Sequence, residues 1–428
     1  MIHSFYKRKG CIYNIQGDVM KKIIICFITI ILLAIICFFT YKFIIIPKQN
    51  TQETQNQSTN IGENVTSKTN EENIIVEMPK KEDTNITMSV IGDIMCHNSQ
   101  YIDAFDGETY DFSYVFEDVK DYINSADIAI GNLETTFAGA KKGYSNYPRF
   151  NTPEQLAKNL KDFGIDVLST ANNHSMDTNY DGIVSTLDYL DEAGISHTGT
   201  ARSIEEQNTI LIKDVNGIKI AFLAFTYGTN GIPIKSDKEF SVNLISDNFI
   251  LEQLSLAKQQ NPDLICVSMH WGIEYQNKQN TEQERLANLL FTNGVDIILG
   301  SHPHVLQPME KKTITLEDGS TKDCFVIYSL GNFMSGQTKE RTRNSIILNI
   351  ELNKNGETEK TTIGKISYIP IYMYKNTSKN KQKYLVMDIE KAINRYDSGD
   401  HFITSSVYST LKSELTKIKN TMGDFIID

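Results

Sequence analysis

Short apolar runs alternate with amphipathic stretches from about residue 85 onward. The runs ITMSVIG, ADIAIGNLE and IDVLST are typical of buried strands, whereas SYVFEDVKDYI and PEQLAKNLKDFG have a helical spacing of apolar positions. We place Pro153 in the first turn of the second of these helices and Gly164 at its end, and a further helical stretch from Gly182 to Ala193 ends at Gly194. This alternation predicts an α/β fold.

The same pattern continues toward the C-terminus. In TILIKDVNGIKIAFLAF, the pair Asn216 and Gly217 separates two β-rich runs, as the tight turn of a hairpin requires. The elements predicted after it are a helix over 249–259, a strand over 263–269, a helix over 282–293, a strand over 295–299, a β-rich section over 325–374 and a terminal helix over 407–421.

The N-terminal part of the chain has a different pattern. Residues 23–46 are apolar except for a few polar positions and the single charge of Lys42, and they are long enough to cross the roughly 30 Å hydrocarbon core of a bilayer as a helix. More Lys and Arg residues precede this segment than follow it, so we expect the N-terminus in the cytoplasm and the rest of the chain outside. A cleaved signal peptide with a start at Met20 and a lipoprotein signal using Cys37 are the alternatives.

Residues 47–84 are rich in Thr, Asn, Gln, Glu and Lys, a composition that cannot repay the entropy of ordering and predicts a flexible linker. The predicted organisation is a cytoplasmic segment 1–22, a membrane anchor 23–46, the linker 47–84, a main domain 85–335 and a C-terminal extension 336–428 that completes or flanks its sheet.

Composition narrows the class of protein. A chain of 428 residues with 40% hydrophobic content can bury a sizeable core. The net charge of −11, without a cluster of Lys and Arg, argues against nucleic acid as a partner. The six cysteines form no CxxC pair, and no disulfide framework can be read from their spacing.

Carboxylate and imidazole side chains follow several of the strand-like runs. Ligands of open α/β sheets bind beyond the carboxyl ends of the strands, so we expect these side chains to converge. Imidazoles and carboxylates are the usual ligands of Mn, Fe and Zn, and one carboxylate can bridge two such ions about 3.5–4 Å apart. The residues concerned are Asp93, Glu134, His174, His270, His302 and His304.

Six motifs resemble a known family. They are GDIM (92–95), GNLET (131–135), ANNHSMD (171–177), HWGIEY (270–275), GSHPHVLQPME (300–310) and YSLGNF (328–333). In this order, over about residues 86–333, they look like the CapA-type poly-γ-glutamate capsule-synthesis family. That family is similar in fold to calcineurin-like metallophosphatases, so the resemblance implies a layered α/β/β/α sandwich.

The resemblance also implies a role for each motif residue. Asp93 resembles the first metal-binding aspartate, Glu134 stands in the place of the bridging aspartate, and Asn173 looks like a metal-binding asparagine. Two divalent ions, Mn, Fe or Zn, are implied. The remaining ligands are assigned as His270 and His302 for one ion and His304, together with Asp93, for the other.

His174 is implied as a proton donor beside the leaving group. Asp177 is then expected to orient it, because a carboxylate on the second ring nitrogen fixes the tautomer. The alternative for Asp177 is the N-cap of a helix that begins near Asn179.

One position departs from the phosphatase pattern. Those enzymes carry a histidine two residues after the first aspartate, and here Met95 stands in that place. One metal site is therefore expected to be incomplete, or to be completed by His97. The bridging position is also changed, since Glu134 is one methylene longer than an aspartate.

Several residues around these motifs are weaker candidates. Arg149 can clamp an anionic substrate or form a surface ion pair, and Glu274 can contact substrate or be a solvated loop charge. Trp271 either walls the pocket or packs in the core. The histidines not expected to be ligands are His3, His197 and His401.

Three functions follow from these observations. The first is a component of capsule production at the outer membrane face, held by its N-terminal helix, with an anionic polymer as substrate and membrane-bound synthase subunits as partners. The second is a metal-dependent hydrolase of an envelope phosphoester or amide. The third is a non-catalytic scaffold that binds the polymer.

Overall fold

The structure is a computed structural model that describes residues 81–315, 319–376 and 383–427. The predicted cytoplasmic segment 1–22 and membrane anchor 23–46 lie outside the described residues, as does the linker up to residue 80. Within the described ranges, no helix is long and apolar enough to cross a membrane.

The first sheet is formed by the strands at the N-terminal end of the described chain together with those at its C-terminal end. Its strands are β1 (Thr84–Met95), β2 (Ile128–Leu133), β3 (Val167–Ser169), β4 (Ser196–Thr198), β11 (Asn332–Ser335), β12 (Asn344–Lys354), β13 (Thr361–Lys375), β14 (Tyr384–Asp388) and β15 (Ile426–Ile427). Their order is β14-β13-β12-β1-β2-β3-β4, with β11 paired to β1 and β15 paired to β13. Strands β1 to β4 are parallel, and β12 to β14 add antiparallel strands from the region after residue 335.

The second sheet is formed by the middle of the chain. Its strands are β5 (Leu211–Val215), β6 (Ile218–Thr226), β7 (Leu264–His270), β8 (Ile297–Ser301), β9 (Leu306–Thr315) and β10 (Thr321–Leu330), in the order β5-β6-β7-β8-β10-β9. Strands β6, β7, β8 and β10 run parallel. The predicted hairpin is confirmed: Asn216 and Gly217 join β5 to β6 with φ of 51° and 87°, as a type I′ turn requires.

The helices of the described chain agree with the sequence pattern in part: five predicted helices are present with starts that differ by one to three residues, the stretch SYVFEDVKDYI forms two short helices, and three helices were not predicted. They are α1 (Asn98–Ala104), α2 (Ser113–Phe116), α3 (Lys120–Asn124), α4 (Gln155–Phe163), α5 (Asn179–Ala193), α6 (Ile204–Gln207), α7 (Asp247–Gln259), α8 (Thr281–Thr292), α9 (Ile389–Asp397) and α10 (Ser405–Met422). The placement of Pro153 in the first turn of α4 is wrong, because Glu154 is the N-cap and the helix begins one residue later. Gly164 ends α4 with φ of 115°, as expected.

Three apolar clusters give the order of the layers. Val90, Phe222 and Leu299 belong to a cluster that lies between the two sheets. A second cluster covers the other face of the first sheet with α4 and α5, and a third covers the other face of the second sheet with α7 and α8. The predicted α/β sandwich of two sheets is confirmed, and its layers run helix, sheet, sheet, helix.

This arrangement brings the carboxyl ends of parallel strands from both sheets to one edge. Ends of β1, β2 and β3 lie there from the first sheet, and ends of β6, β7 and β8 from the second. Parallel strands need crossover connections, so each strand end continues into a loop at this edge. The loops carry the candidate residues.

Candidate metal centre

All six candidate ligands are buried at this edge. Asp93 lies near the end of β1, Glu134 directly follows β2, and Asn173 lies in the loop after β3. From the second sheet, His270 is the last residue of β7, and the segment after β8 supplies two more histidines. The exposed fractions are 0% for Asp93 and Glu134, 1% for His270, 2% for Asn173 and His304, and 4% for His302.

Asp93 is placed by a close approach of two strands. The residue before it, Gly92, has no room for a side chain, since a Cβ there would meet the Gly331 carbonyl oxygen at 2.0 Å. This contact lets the Asp93 amide donate to Gly331 at 2.9 Å. Asn132, opposite Asp93 on β2, donates its Nδ2 hydrogen to Asp93 Oδ1 at 2.8 Å. Asp93 is thereby held with Oδ2 facing the histidines that follow β8.

Glu134 lies at the middle of the cluster. Its carboxylate belongs to two groups whose ligand atoms lie within 4.8 Å of one another: one with Asp93 and His270, and one with His302 and His304. Neither Glu134 oxygen accepts a hydrogen bond from the described part of the chain. A buried carboxylate without donors is costly, so its surroundings suit a cation.

His270 joins the ends of the two sheets. Its Nδ1 lies 2.9 Å from Ser301 Oγ, and its Nε2 lies 2.7 Å from Asn173 Oδ1 and 3.6 Å from Glu134 Oε1. The Asn173 amide is fixed on its other side, where Nδ2 donates to Asn230 Oδ1 at 3.1 Å. Asn173 therefore adds an oxygen to the group of Asp93, Glu134 and His270.

The two histidines after β8 lie in unusual backbone conformations. His302 and His304 have φ of 96° and 59°, values that side-chain-bearing residues rarely adopt and that are concentrated at functional sites. His304 Nδ1 lies 3.0 Å from Asn332 Oδ1, which leaves Nε2 facing Glu134 Oε1 at 3.9 Å. His302 Nδ1 is buried and has no hydrogen-bond partner among the described residues.

The electrostatics of the cluster favour neutral imidazoles. Burial, with the neighbouring histidines, holds the pKa of His270 well below its usual value and lowers that of His302 to about 3. Neutral imidazole is the form that binds metal. Burial and the charge of Asp93 raise the pKa of Glu134 well above its usual value, so without a cation this carboxyl favours its protonated form.

These residues fit a pair of divalent ions. With metal–ligand bonds of about 2.2 Å, two ligands of one ion lie up to about 4.4 Å apart, close to the 4.8 Å limit within which each group's ligand atoms fall. The unpartnered oxygens of Glu134 and the unpartnered Nδ1 of His302 point to the same conclusion. His304 Nδ1 also lies 3.5 Å from Asp93 Oδ2, and the His270 and His302 rings lie 4.9 Å apart, so the distances are equally compatible with the pairing that the resemblance implied.

His174 is held beside this cluster. Its Nδ1 lies 2.7 Å from Asp177 Oδ2, and the same carboxylate oxygen accepts the Phe150 amide at 2.6 Å. The Phe150 ring packs edge-on against the imidazole, with centroids 4.8 Å apart. Asp177 does not cap the following helix, whose N-cap is Thr178. Asp177 therefore fixes the His174 tautomer with Nε2 as the free nitrogen.

Other candidates lie outside both ligand groups. His97 Nδ1 accepts the Gly336 amide at 3.0 Å and contacts Met95 O at 3.2 Å. Arg149 is exposed, one residue from Phe150, and Glu274 is exposed on the loop after β7. Trp271 packs in the core, where its Nε1 donates to Tyr328 O at 2.9 Å.

Sequence reasoning missed several neighbours of the ligands. Asn132 and Ser301 lie inside the GNLET and GSHPH motifs, so their position one or two residues from a ligand was the available signal. Tyr227 follows β6, and its ring stacks on His270 at 6.3 Å and packs against His302 at 4.6 Å. The chain has 20 tyrosines, so the residue type alone did not single it out in the sequence.

Comparison with known proteins identifies the family. The sequence profile described as bacterial capsule synthesis protein PGA_cap matches residues 87–337, more than half of the chain. The chain belongs to this family. The resemblance seen in the six motifs is thus confirmed.

The chain is also similar to two curated relatives, over a longer stretch than the family profile covers. The chain is 31% identical over 291 residues to capsule biosynthesis protein CapA of Bacillus anthracis, covering 66% of this chain and 67% of the relative. It is 30% identical over 330 residues to PGA biosynthesis protein CapA of Bacillus subtilis (strain 168), covering 74% and 82%. Both matches reach beyond half of each chain.

Solved structures similar to this PGA_cap protein are more distant. The NAD nucleotidase of Haemophilus influenzae aligns with a TM-score of 0.42 and 12% identity, covering 79% of this chain and 61% of that one. The calcineurin-like phosphoesterase YfkN of Bacillus subtilis aligns with a TM-score of 0.40 and 14% identity, covering 79% and 98%.

Proposed function

We propose that this chain takes part in the synthesis or attachment of a γ-linked glutamate capsule polymer, and that it acts through a two-metal centre. Membership of the bacterial capsule synthesis family supports the first part, as do relatives named for capsule biosynthesis and PGA biosynthesis. The second part rests on one observation, the position of the buried Glu134 carboxylate in both ligand groups.

The ligands divide between the two ions by these groups. Asp93, Glu134, Asn173 and His270 would hold one, and Glu134, His302 and His304 would hold the other, with His304 also 3.5 Å from Asp93. On this division, the site with one protein ligand fewer would be the one beside His302. Mn, Fe and Zn suit this mixture of imidazole and carboxylate. Two such ions supply a hydroxide nucleophile at neutral pH and neutralise charge that develops on the attacked group.

A second candidate function is hydrolysis of an envelope phosphoester or amide. The His174–Asp177 pair favours it, because a histidine with a fixed tautomer beside a metal cluster suits proton transfer to a leaving group. A scaffold that only binds polymer has no need of this pair. We assign His174, with its Nε2 also protonated, the role of proton donor, and Asp177 the role of orienting the ring and balancing its positive charge.

Two exposed residues are proposed to contact the polymer. Arg149 lies on the loop that places Phe150 against His174, and its guanidinium bonds no carboxylate within the described ranges. Glu274 lies on the loop after β7, close enough to the cluster to help raise the pKa of Glu134. Arg149 can bind a polymer carboxylate in a bidentate way, and Glu274 can accept from a backbone amide of the polymer.

The proposed location is the outer face of the cell membrane. The support is the apolar segment 23–46 and the excess of Lys and Arg before it. The described domain then lies outside the cell, joined by the linker to the membrane, and membrane-bound synthase subunits are the proposed partners. A tethered domain of this kind remains close to a polymer made in the membrane.

Surface polymer provides the test of this function. In a polymer-producing strain that lacks its own relative, the full wild-type chain is expected to restore surface polymer. His302→Ala should lower the restored amount about tenfold or more, because it removes a ligand of the second ion. The matched control is His401→Ala, an exposed histidine that packs on Tyr396. Restoration by the His302→Ala chain, or failure of the wild-type chain, would contradict the proposal.

A further inference from the structure

A groove with two cationic side chains opens beside the metal centre. It has a volume of about 370 Å³, and its lining residues are Tyr275, Asn277, Lys339, Glu340 and Arg341. The groove joins two loops, one after β7 and one after β11. Neither loop supplies a metal ligand, so the groove is a feature separate from the two ligand groups.

Tyr275 connects the groove to the metal centre. Its ring lies 6.0 Å from the His304 ring, and Lys339 Nζ lies over the same ring, 3.5 Å from its centroid. An ammonium over a tyrosine face is held there by the ring quadrupole. Lys339 is therefore fixed on the side of the groove that borders His304.

Three of the six arginines in the described ranges bond carboxylates, and Arg341 is one of the three that do not. Arg202, Arg285 and Arg395 each bond to one or more carboxylates. Arg341 bonds none among the described residues, and its backbone lies in the left-handed region with φ of 65°. Its guanidinium is available for an anionic ligand.

The acidic groups near the groove interact with other partners than Lys339 and Arg341. Glu340 faces Lys417 at 3.3 Å, and Lys417 also faces Glu414 at 2.8 Å. Burial and a hydrogen bond with Glu274 raise the pKa of Tyr275. Glu274 is the carboxylate on the loop opposite Lys339 and Arg341, and it forms no ion pair with either cation among the described residues.

The Asn332 side chain sets the position of the loop after β11, which carries Lys339 and Arg341, relative to the metal ligands. Asn332 Oδ1 lies 3.0 Å from His304 Nδ1, while its Nδ2 donates to Gln337 Oε1 at 3.1 Å and to Thr342 O at 2.9 Å. The loop is also held at its start, where the Gly336 amide donates to His97. A ligand histidine and the loop that carries Lys339 and Arg341 therefore share one support.

We propose that this groove is a carboxylate-binding subsite, in which Arg341 and Lys339 hold a free carboxylate of an anionic polymer while a neighbouring unit of the same polymer lies at the metal centre. The inference rests on the proposed function and adds to it the residues that recognise the polymer. Arg341 supplies a planar fork for the two carboxylate oxygens, and Lys339 supplies a point charge.

Binding of a defined oligomer to the full, metal-loaded chain tests the subsite. The probes are a ten-residue γ-linked glutamate oligomer and its γ-linked isoglutamine counterpart, in which each free α-carboxylate is replaced by a neutral carboxamide, measured by calorimetry. Arg341→Gln is expected to raise the Kd for the glutamate oligomer about tenfold. Lys339→Gln together with Arg341→Gln should raise it further, toward the Kd for the isoglutamine oligomer. Arg341→Lys keeps the charge without the fork and should recover part of the affinity.

Lys360→Gln is the matched control, because it removes one exposed positive charge at the opposite end of β1 from Asp93. Metal content should equal that of the wild type in every variant. Unchanged binding in the double variant, or an equal loss in Lys360→Gln, would overturn the subsite and leave the proposed function standing. A wild-type chain that binds neither oligomer would overturn both.

Discussion

Glu134→Gln is expected to stabilise the metal-free chain while removing its capacity to bind a pair of ions. Glu134 is fully buried, neither of its oxygens accepts a hydrogen bond within the described chain, and Asp93 lies beside it. Replacing this carboxyl by an amide removes the cost of burying or neutralising its charge, and should raise the free energy of unfolding at pH 7 by about 1–3 kcal/mol. Denaturant unfolding of the metal-stripped chain measures this change.

The effect has a definite dependence on pH. Burial raises the Glu134 pKa of the folded chain above its ordinary value of 4.5, so the unfolded chain releases this proton first as pH rises. The stability that the protonated carboxyl contributes is present below 4.5 and is lost as pH rises through the folded pKa. The advantage of Glu134→Gln should therefore be small at pH 4 and larger at pH 7.

A second buried acid provides the contrast. Asp296 also has a pKa raised by burial, but Lys322 Nζ lies 2.8 Å from its carboxylate and the Ile265 amide donates to it. Asp296→Asn breaks this ion pair and should destabilise the chain without changing metal affinity. If Glu134→Gln lowers stability as Asp296→Asn does, or binds metal like the wild type, the bridging role of Glu134 is wrong.

His174→Gln is expected to lower turnover by about 10²- to 10⁴-fold with no loss of bound metal, if the chain is a hydrolase. His174 lies outside both ligand groups, and its Nδ1 is committed to Asp177 at 2.7 Å. Removing the imidazole should therefore affect proton transfer but not the ions. Asp177→Asn should give a smaller loss of turnover, because the imidazole remains and only the partner that fixes its tautomer is removed. The assay uses the metal-loaded full chain with a panel of phosphoester and γ-glutamyl substrates.

His197→Gln is the control for this pair. His197 Nε2 also faces an aspartate, Asp191 Oδ1 at 3.1 Å, but it lies on β4 and not at the metal centre. Its replacement should leave turnover unchanged. Equal turnover in wild type and His174→Gln would remove the proton-donor role, and a loss of metal in His174→Gln would make this histidine a ligand instead.

The sequence alone predicts the strand ends, because buried strands are short apolar segments and polar residues follow each of them directly. That is how Asp93, Glu134 and His270 were found, and the structure places all three in one ligand group. The family motifs added Asn173, whose oxygen lies 2.7 Å from His270 Nε2. Each of these residues lies at the end of an apolar run or inside a short motif, so they can be recognised without knowledge of the tertiary structure.

The neighbours of the ligands depend on strand pairing and could not be derived in this way. Asp93 lies opposite Asn132 on β2 and Asn332 on β11, on its two sides. The second of these pairings joins residues more than two hundred positions apart, and local spacing contains no information about it. The division of the histidines between two ions also depends on how the two sheets stack, and the spacing of the motifs contains no information about it.

Metal analysis of the full chain tests the central claim most directly. After reconstitution with Mn, Fe or Zn and removal of free ions, the wild-type chain should retain about two ions, since one carboxylate joins two ligand groups. His302→Ala should retain about one, because the Asp93, Glu134 and His270 group remains complete. A wild-type chain that retains no ion with any of the three metals would contradict the account.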